Sequence, residues 1–270
     1  MKEFSPYKER IEEKLEELIP SSSSDYDSLF SAARYSLLAP GKRIRPLLTL
    51  LTVEMLEPSL LEGALVPACT LEMIHTYSLI HDDLPSLDGD DYRRGKPTLH
   101  RVYNEGHALL VGDYLLTYPF ELLAKAPFLT PFQKIQLVEI LAEASGSDGM
   151  IGGQVMDIEG SSKIEQMHRG KTAALFRAAL LFGGVISEAS SEKLTLLGDF
   201  GTSLGLLFQM VDDILDQDHP EGEEKAREGA DRLEKQARDT LSQFPENTGN
   251  LEKITTWVYG QIGVPPKQLC

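Results

Sequence analysis

Apolar residues recur at spacings of three and four along nearly the whole chain, and alternating runs are scarce. That period predicts α-helices, because a strand face repeats every two residues. The stretch "YKERIEEKLEELI" puts Ile11, Leu15 and Leu18 on one stripe. Pro20 precedes "SSSSD", a loop that can supply the N-cap of the next helix. Further helices are expected around 46–56, 62–83, 106–124, 131–147, 163–186, 191–217, 221–243 and 249–260. Most connections are short and carry Gly or Pro, and no linker, repeat or composition break precedes residue 217. The expectation is all-α: one domain over residues 1–270, a bundle of about ten helices around a central apolar cavity.

Two of these helices, 62–83 and 191–217, are apolar over most of their circumference, as buried helices are. Both end in aspartates. Clustered carboxylates at the end of a buried helix are costly unless cations or water compensate.

In the first, His75, Ser78 and Asp82 lie on one polar stripe of an otherwise apolar helix. Pro85 forbids a regular continuation, so the chain must bulge, and the bulge can return Asp88 toward Asp82. Spacing alone leaves two readings open: an acidic surface loop, or part of a site. In the second, "FQMVDDILDQD" places Gln209, Asp212 and Asp216 on one face, interleaved with Phe208, Met210, Val211, Ile214 and Leu215. Such carboxylates lack the spacing of a calcium-binding loop. They suit Mg²⁺, which keeps waters and is shared between a few carboxylates and substrate phosphates.

Basic groups flank both clusters. Lys42, Arg43 and Arg45 precede Pro46, which is placed to open a helix whose free N–H groups favour an anion. Arg93 and Arg94 follow the first aspartates and can grip phosphate oxygens in pairs. Lys171 and Thr172 stand near another helix start. The chain carries 26 Lys plus Arg against 42 Asp plus Glu, a formal net charge of −16. That field repels nucleic acid and anionic lipid, and an anionic substrate needs cations and a local basic patch to overcome it. The two cysteines, Cys69 and Cys270, make neither a disulfide framework nor a metal cluster, and Cys69 reads as a small core residue. The charged start and the lack of about 18 consecutive apolar residues predict a cytoplasmic protein with no membrane span.

Together, "GKRIRP", "HDDLPSLDGDDYRRGKPT", "GKTAALF" and "FQMVDDILD" resemble the motifs of the trans-isoprenyl diphosphate synthases, most closely the bacterial short-chain, farnesyl diphosphate synthase-like members. The resemblance runs from about residue 25 to residue 217. It implies the isoprenoid synthase-like fold and Mg²⁺-dependent head-to-tail condensation of isopentenyl diphosphate with an allylic diphosphate, dimethylallyl or geranyl. Asp82, Asp88 and Asp212 would hold Mg²⁺, with Asp83 and Asp216 supporting. Lys42, Arg45, His75 and Arg94 would bind isopentenyl diphosphate. Arg93, Lys171, Thr172 and Gln209 would bind the allylic substrate, with Arg93 and Lys171 adding positive charge against the leaving group. Tyr77 and Ser78 would limit chain length, and a bulky Tyr77 favours farnesyl over geranylgeranyl diphosphate. The family also implies a homodimer.

After residue 217 the pattern departs. The family's Gly-Lys loop and Lys-x-Thr-Tyr give way to "DQDHPEGEEKAREGADRLEKQARDTL", a shortened region in which Lys225 is the nearest candidate for the missing lysine. The alternatives are a weakly active or non-catalytic subunit of a heteromeric synthase, and a terpene cyclase. A cyclase needs no second-substrate site, so Lys42, Arg45 and Arg94 argue against it, as does "DDILD" in place of a cyclase's second metal motif.

Overall fold

The computed structural model describes residues 1–20, 25–216 and 222–263. Cys270 and the serine run 21–24 after Pro20 lie outside the described residues. The described chain is all-α apart from one two-stranded ribbon, β1 (Tyr92–Arg93) and β2 (Lys96–Pro97). It falls into two compact units, residues 2–47 with 65–128, and residues 48–64 with 129–270 plus Met1.

The first unit contains α1 (Ser5–Leu18), α2 (Asp27–Leu37), the start of α3 (Ile44–Leu56), most of α4 (Leu61–Asp82), α5 (Leu99–Val102) and α6 (Glu105–Lys125). On α1, Ile11 and Leu15 are buried as the spacing predicts. The next buried position is Ile19 rather than Leu18, because the helix ends at Leu18 and Ile19 turns extended, with φ −85° and ψ 121°. Cys69 is a buried core residue, and burial pushes its thiol far above the usual range, which leaves it unreactive. At the start of α6 the Asn104 side chain accepts a bond from His107 N at 2.8 Å, satisfying one of the helix's unpaired donors.

In the second unit, α7 (Pro131–Ser145) opens with a capping box of Thr130 and Gln133. Gln133 also donates Nε2 to the carbonyls of Val185 and Ile186, at 3.1 and 3.2 Å. One side chain thereby serves the start of α7 and the end of α10 (Ala174–Ile186). The expected helix over 163–186 is three pieces: α9 (Ile164–His168), a π-helical turn (Arg169–Ala173) and α10. The helix α8 (Met150–Ile158) precedes them. The chain closes with α11 (Ser191–Asp216), α12 (Glu223–Leu241) and α13 (Gly249–Gly260). Ala226, Ala230, Leu233, Ala237 and Leu241 make the buried stripe of α12, while Arg227 and Glu223 pair on its exposed side.

By length and composition α11 could cross a bilayer, but more than half of its apolar window is buried within the protein. It packs against α10 and α12, which explains its apolar circumference as that of a core helix. The contact with α10 and with the last residue of the π-helical turn before it depends on missing side chains. A Cβ on Gly201 would lie 2.7 Å from Arg177 Cα, and one on Gly205 would lie 2.5 Å from Ala173 Cα. Both neighbours are backbone atoms, so relief requires the helices to separate. Gly205→Val is therefore expected to destabilise the protein by about 1–3 kcal/mol or more, as overpacked cores do, read as a lower melting temperature by circular dichroism.

Candidate active site

In the first unit, α4 delivers Glu72, His75, Tyr77, Ser78 and Asp82. Beyond it the chain folds back as Pro85 demands. Asp88 N donates to Asp82 O at 2.9 Å, and Gly89 N donates to Leu84 O at 3.1 Å. Gly89 takes φ 70°, a left-handed conformation suited to glycine. Asp82 is half-buried and Asp88 exposed. Asp83 is buried, and its Oδ1 accepts from Arg93 Nε at 2.6 Å. Burial raises the Asp83 carboxyl, and Arg93 pulls part of that rise back. Asp90 and Asp91 belong to the outer turn, where Asp91 lies 3.2 Å from Arg101.

The β-ribbon aims Arg93 and Arg94. Its two central residues, Arg94 and Gly95, have φ 53° and 77°, as the tight hairpin turn requires. Arg94 Nη1 donates to Pro40 O at 2.9 Å. The guanidinium lies over Gly41, where a Cβ would stand 2.8 Å from Nη1. The turn carrying Lys42 and Arg43 leads into α3, which starts at Ile44, so Arg45 is its second residue and Pro46 its third rather than its first. A third residue's N–H is still among the unpaired ones, so proline costs no bond there. Lys42 and Arg45 are half-buried. Arg43 is buried and bonds Glu72 Oε1 at 2.9 Å.

These groups surround His75. Burial, followed by the charges of Arg45, Arg94, Arg43 and Arg93, holds its imidazole well below the ordinary range, so it is neutral. A small hollow of about 60 Å³ is bordered by Arg43, Glu72, His75, Arg93, Arg94 and Lys96. Tyr77 is buried with no hydrogen-bond partner for its hydroxyl among the described residues. Burial and the charge of Asp82 push its phenol up to about 12. Ser78 donates its hydroxyl to His75 O at 2.9 Å, within its own helix.

In the second unit, the π-helical turn presents Lys171 and Thr172. It needs close backbone contact with α8, since a Cβ on Gly153 would overlap Lys171 N. Lys171 pairs with Asp157. Thr172 Oγ1 donates to Gln209 Oε1 at 2.6 Å, and Gln209 Nε2 donates to Asp213 Oδ1 at 2.8 Å. The other Asp213 oxygen is buried, without a hydrogen bond among the described residues, 3.9 Å from His168 Nδ1. A pocket of about 420 Å³ is lined by Asp157, His168, Lys171, Gln209 and Asp213. An adjoining cleft of about 1050 Å³, which includes Lys163, Met210 and Arg232, contains none of the aspartates ending α11. The smaller pocket is thus the one tied to the motif residues. Asp212 is half-buried and Asp216 ends α11, exposed. Lys225 lies exposed in the first turn of α12.

Residues 27–238 match the polyprenyl synthetase family model. The chain belongs to the polyprenyl synthetase family. The farnesyl diphosphate synthase of Geobacillus stearothermophilus is 48% identical over 196 residues, covering 70% of this chain and 66% of that enzyme. The large subunit 1 of the heterodimeric geranylgeranyl pyrophosphate synthase of Arabidopsis thaliana is 41% identical over 251 residues, 80% of this chain and 67% of that protein. The chain thus spans about two thirds of the length of these curated relatives. Among solved structures, an FPP/GFPP synthase from Zymomonas mobilis superposes with a TM-score of 0.86 at 34% identity, covering 93% of this chain and 95% of that one.

Asp213 stands in the acidic cluster read from the sequence, but its bond to Gln209 had no signal there. Three further groups were not named from the sequence: Asp157, which pairs with Lys171, Glu72, which pairs with Arg43, and His168, which lies by Asp213. Only Glu72 carried a signal, a charged residue three before His75 on an apolar helix.

Two outcomes follow from this geometry. Tyr77→Phe removes an unpaired buried hydroxyl and should be neutral or stabilising within about 1 kcal/mol by urea unfolding. His75 resists protonation when folded, whereas the unfolded chain takes up that proton near pH 6.5. The His75 contribution to stability is therefore present above about pH 6.5 and declines as pH falls below it. His75→Gln should lose less stability than wild type between about pH 7.5 and pH 5.5 in the same unfolding experiment.

Proposed function

We propose that this chain is a short-chain prenyltransferase that condenses isopentenyl diphosphate with an allylic diphosphate. The observation that carries this reading is the set of arginines around His75. Guanidinium groups gathered at one histidine repel one another, and a strong anion held among them relieves that repulsion. A diphosphate supplies that charge and matches the planar fork of arginine.

In this reading Lys42, Arg45, His75 and Arg94 hold isopentenyl diphosphate. The neutral imidazole donates a hydrogen bond without adding charge. Arg93, Lys171, Thr172 and Gln209 bind the allylic diphosphate. Asp82, Asp88, Asp212 and Asp216 are the carboxylates to hold Mg²⁺, which when bound supplies Lewis-acid stabilisation of the departing pyrophosphate. The donor set is oxygen only, which suits that ion, although among the described residues no three or more metal-binding side chains form a group by themselves. A cation that shares its coordination with substrate phosphates needs no complete protein cage. Asp83 and Asp213 act one step back, Asp83 by aiming Arg93 and Asp213 by aiming Gln209.

The allylic carbon–oxygen bond ionises, and the carbocation is attacked by the double bond of isopentenyl diphosphate. A proton then leaves the new chain to the pyrophosphate, so the protein supplies no nucleophile. Arg93 and Lys171 add fixed positive charge against the leaving group. Tyr77, bulky and buried, supports farnesyl diphosphate as the product. A second reading, a subunit of a heteromeric synthase, draws on the shortened region after Asp216 and on the large-subunit relatives.

The test is purified protein with Mg²⁺, isopentenyl diphosphate and each of dimethylallyl, geranyl and farnesyl diphosphate, with products identified by chain length. Condensation to farnesyl diphosphate is expected. No condensation with any partner at high enzyme concentration rejects the reading in favour of the subunit. Asp82→Ala should lower turnover by more than about 100-fold with an unchanged helical spectrum.

A further inference from the structure

Arg43 and Glu72 form a buried ion pair, with side chains 3% and 4% exposed. Removing two charges from water is expensive, and a pair of apolar residues of similar volume would usually serve stability as well or better. Arg43 also carries backbone strain, since φ 52° is a left-handed conformation for a residue with a long side chain. Two costs are thus concentrated at one residue of the turn that presents Lys42 and leads into Arg45 on α3.

The bonds of Arg43 show what it holds. Nη1 reaches Glu72 Oε1 at 2.9 Å, and Nη2 reaches Ala39 O at 2.7 Å. Glu12 of α1 stands 3.7 Å from Nε. Arg94, the second arginine with a left-handed φ, donates to Pro40 O in the same turn. Two guanidinium groups therefore staple residues 39–43 from opposite partners, α4 and the β-ribbon. Glu72 lies three residues before His75 on α4, so the Arg43–Glu72 pair fixes the basic turn relative to His75.

We propose that the Arg43–Glu72 pair is a positioning device for the isopentenyl diphosphate site: it sets the register of the 39–43 turn against His75 and Arg94 without being a ligand itself. The proposal rests on the reading that this cluster binds isopentenyl diphosphate. It makes a prediction of unusual sign. Glu72 is an anion beside an anion-binding cluster. If only its charge mattered, Glu72→Gln would strengthen diphosphate binding. A positioning role requires the opposite.

Isopentenyl diphosphate alone does not react, so its binding can be titrated calorimetrically on the full chain. Glu72→Gln is expected to weaken it by about tenfold. Dimethylallyl diphosphate binding in the presence of Mg²⁺ should change by less than about twofold. In steady state the KM for isopentenyl diphosphate should rise while the KM for the allylic substrate holds. Arg43→Lys, which cannot reach Glu72 and Ala39 O with one rigid fork, should give the same split. Unchanged or tighter isopentenyl diphosphate binding in Glu72→Gln overturns the inference, as does equal weakening of both ligands. If both variants lose their helical spectrum, the pair is a requirement of folding and the positioning role is rejected. A wild-type protein that binds no isopentenyl diphosphate rejects the underlying reading, and this inference with it. Wild-type binding with an unaltered variant rejects the inference alone.

Discussion

Like charges brought close together repel, and much of the first unit's design follows from that repulsion. Arg43, Arg45, Arg93 and Arg94 all bear on His75. Three of them are restrained locally: Arg43 by Glu72 and a carbonyl, Arg93 by Asp83, Arg94 by Pro40 O. Neutralisation is partial, because the carboxylates are spent on orientation rather than on the centre of the cluster. What remains is a basic patch held rigid in an acidic protein. A patch of this kind binds an anion without reorganising, which is the condition under which fixed charges are most effective.

The two aspartate motifs use their paired residues differently. Asp83 and Asp213 are the second members of their pairs, and both are buried and committed to a neighbouring polar side chain. Asp82 and Asp212 are only half-buried. Consecutive residues on a helix point about 100° apart, so one member of each pair can brace the site while the other faces its opening. The repetition of this division in two separate helices argues that it is a property of the motif. Doubled aspartates here are one ligand candidate and one brace.

Much of this was legible along the chain. The break that Pro85 imposes allowed the return of Asp88 toward Asp82, and the long helices follow from their period. What escaped was local and had a physical cause. The helix α8 is rich in glycine, a poor helix former, and reads as a loop. Its glycines are there because a Cβ at Gly152 or Gly153 would overlap backbone. The β-ribbon is too short for a period of two to register. The Lys171–Asp157 and Arg43–Glu72 pairs join residues far apart in sequence, and no spacing rule connects them. The end of α3 that Pro46 was expected to open is instead set by Arg43, whose left-handed backbone no composition rule anticipates.

The π-helical turn at Arg169–Ala173 has a consequence for how this chain can evolve. A π turn is an α-helix with one residue too many, locked where ordinary helix precedes and follows. Deleting any single residue from it would restore regular helix at little energetic cost. The helices before and after the turn would keep nearly their present rotation, because the extra residue is absorbed within the turn, but the residues inside it would be re-aimed. Lys171 and Thr172 both lie inside it, so Lys171 and the Thr172–Gln209 bond could not both keep their present directions. Point substitutions can be absorbed one atom at a time, but the length of this turn is a single discrete quantity. Lineages that keep the site should vary in the letters of this segment and never in their number.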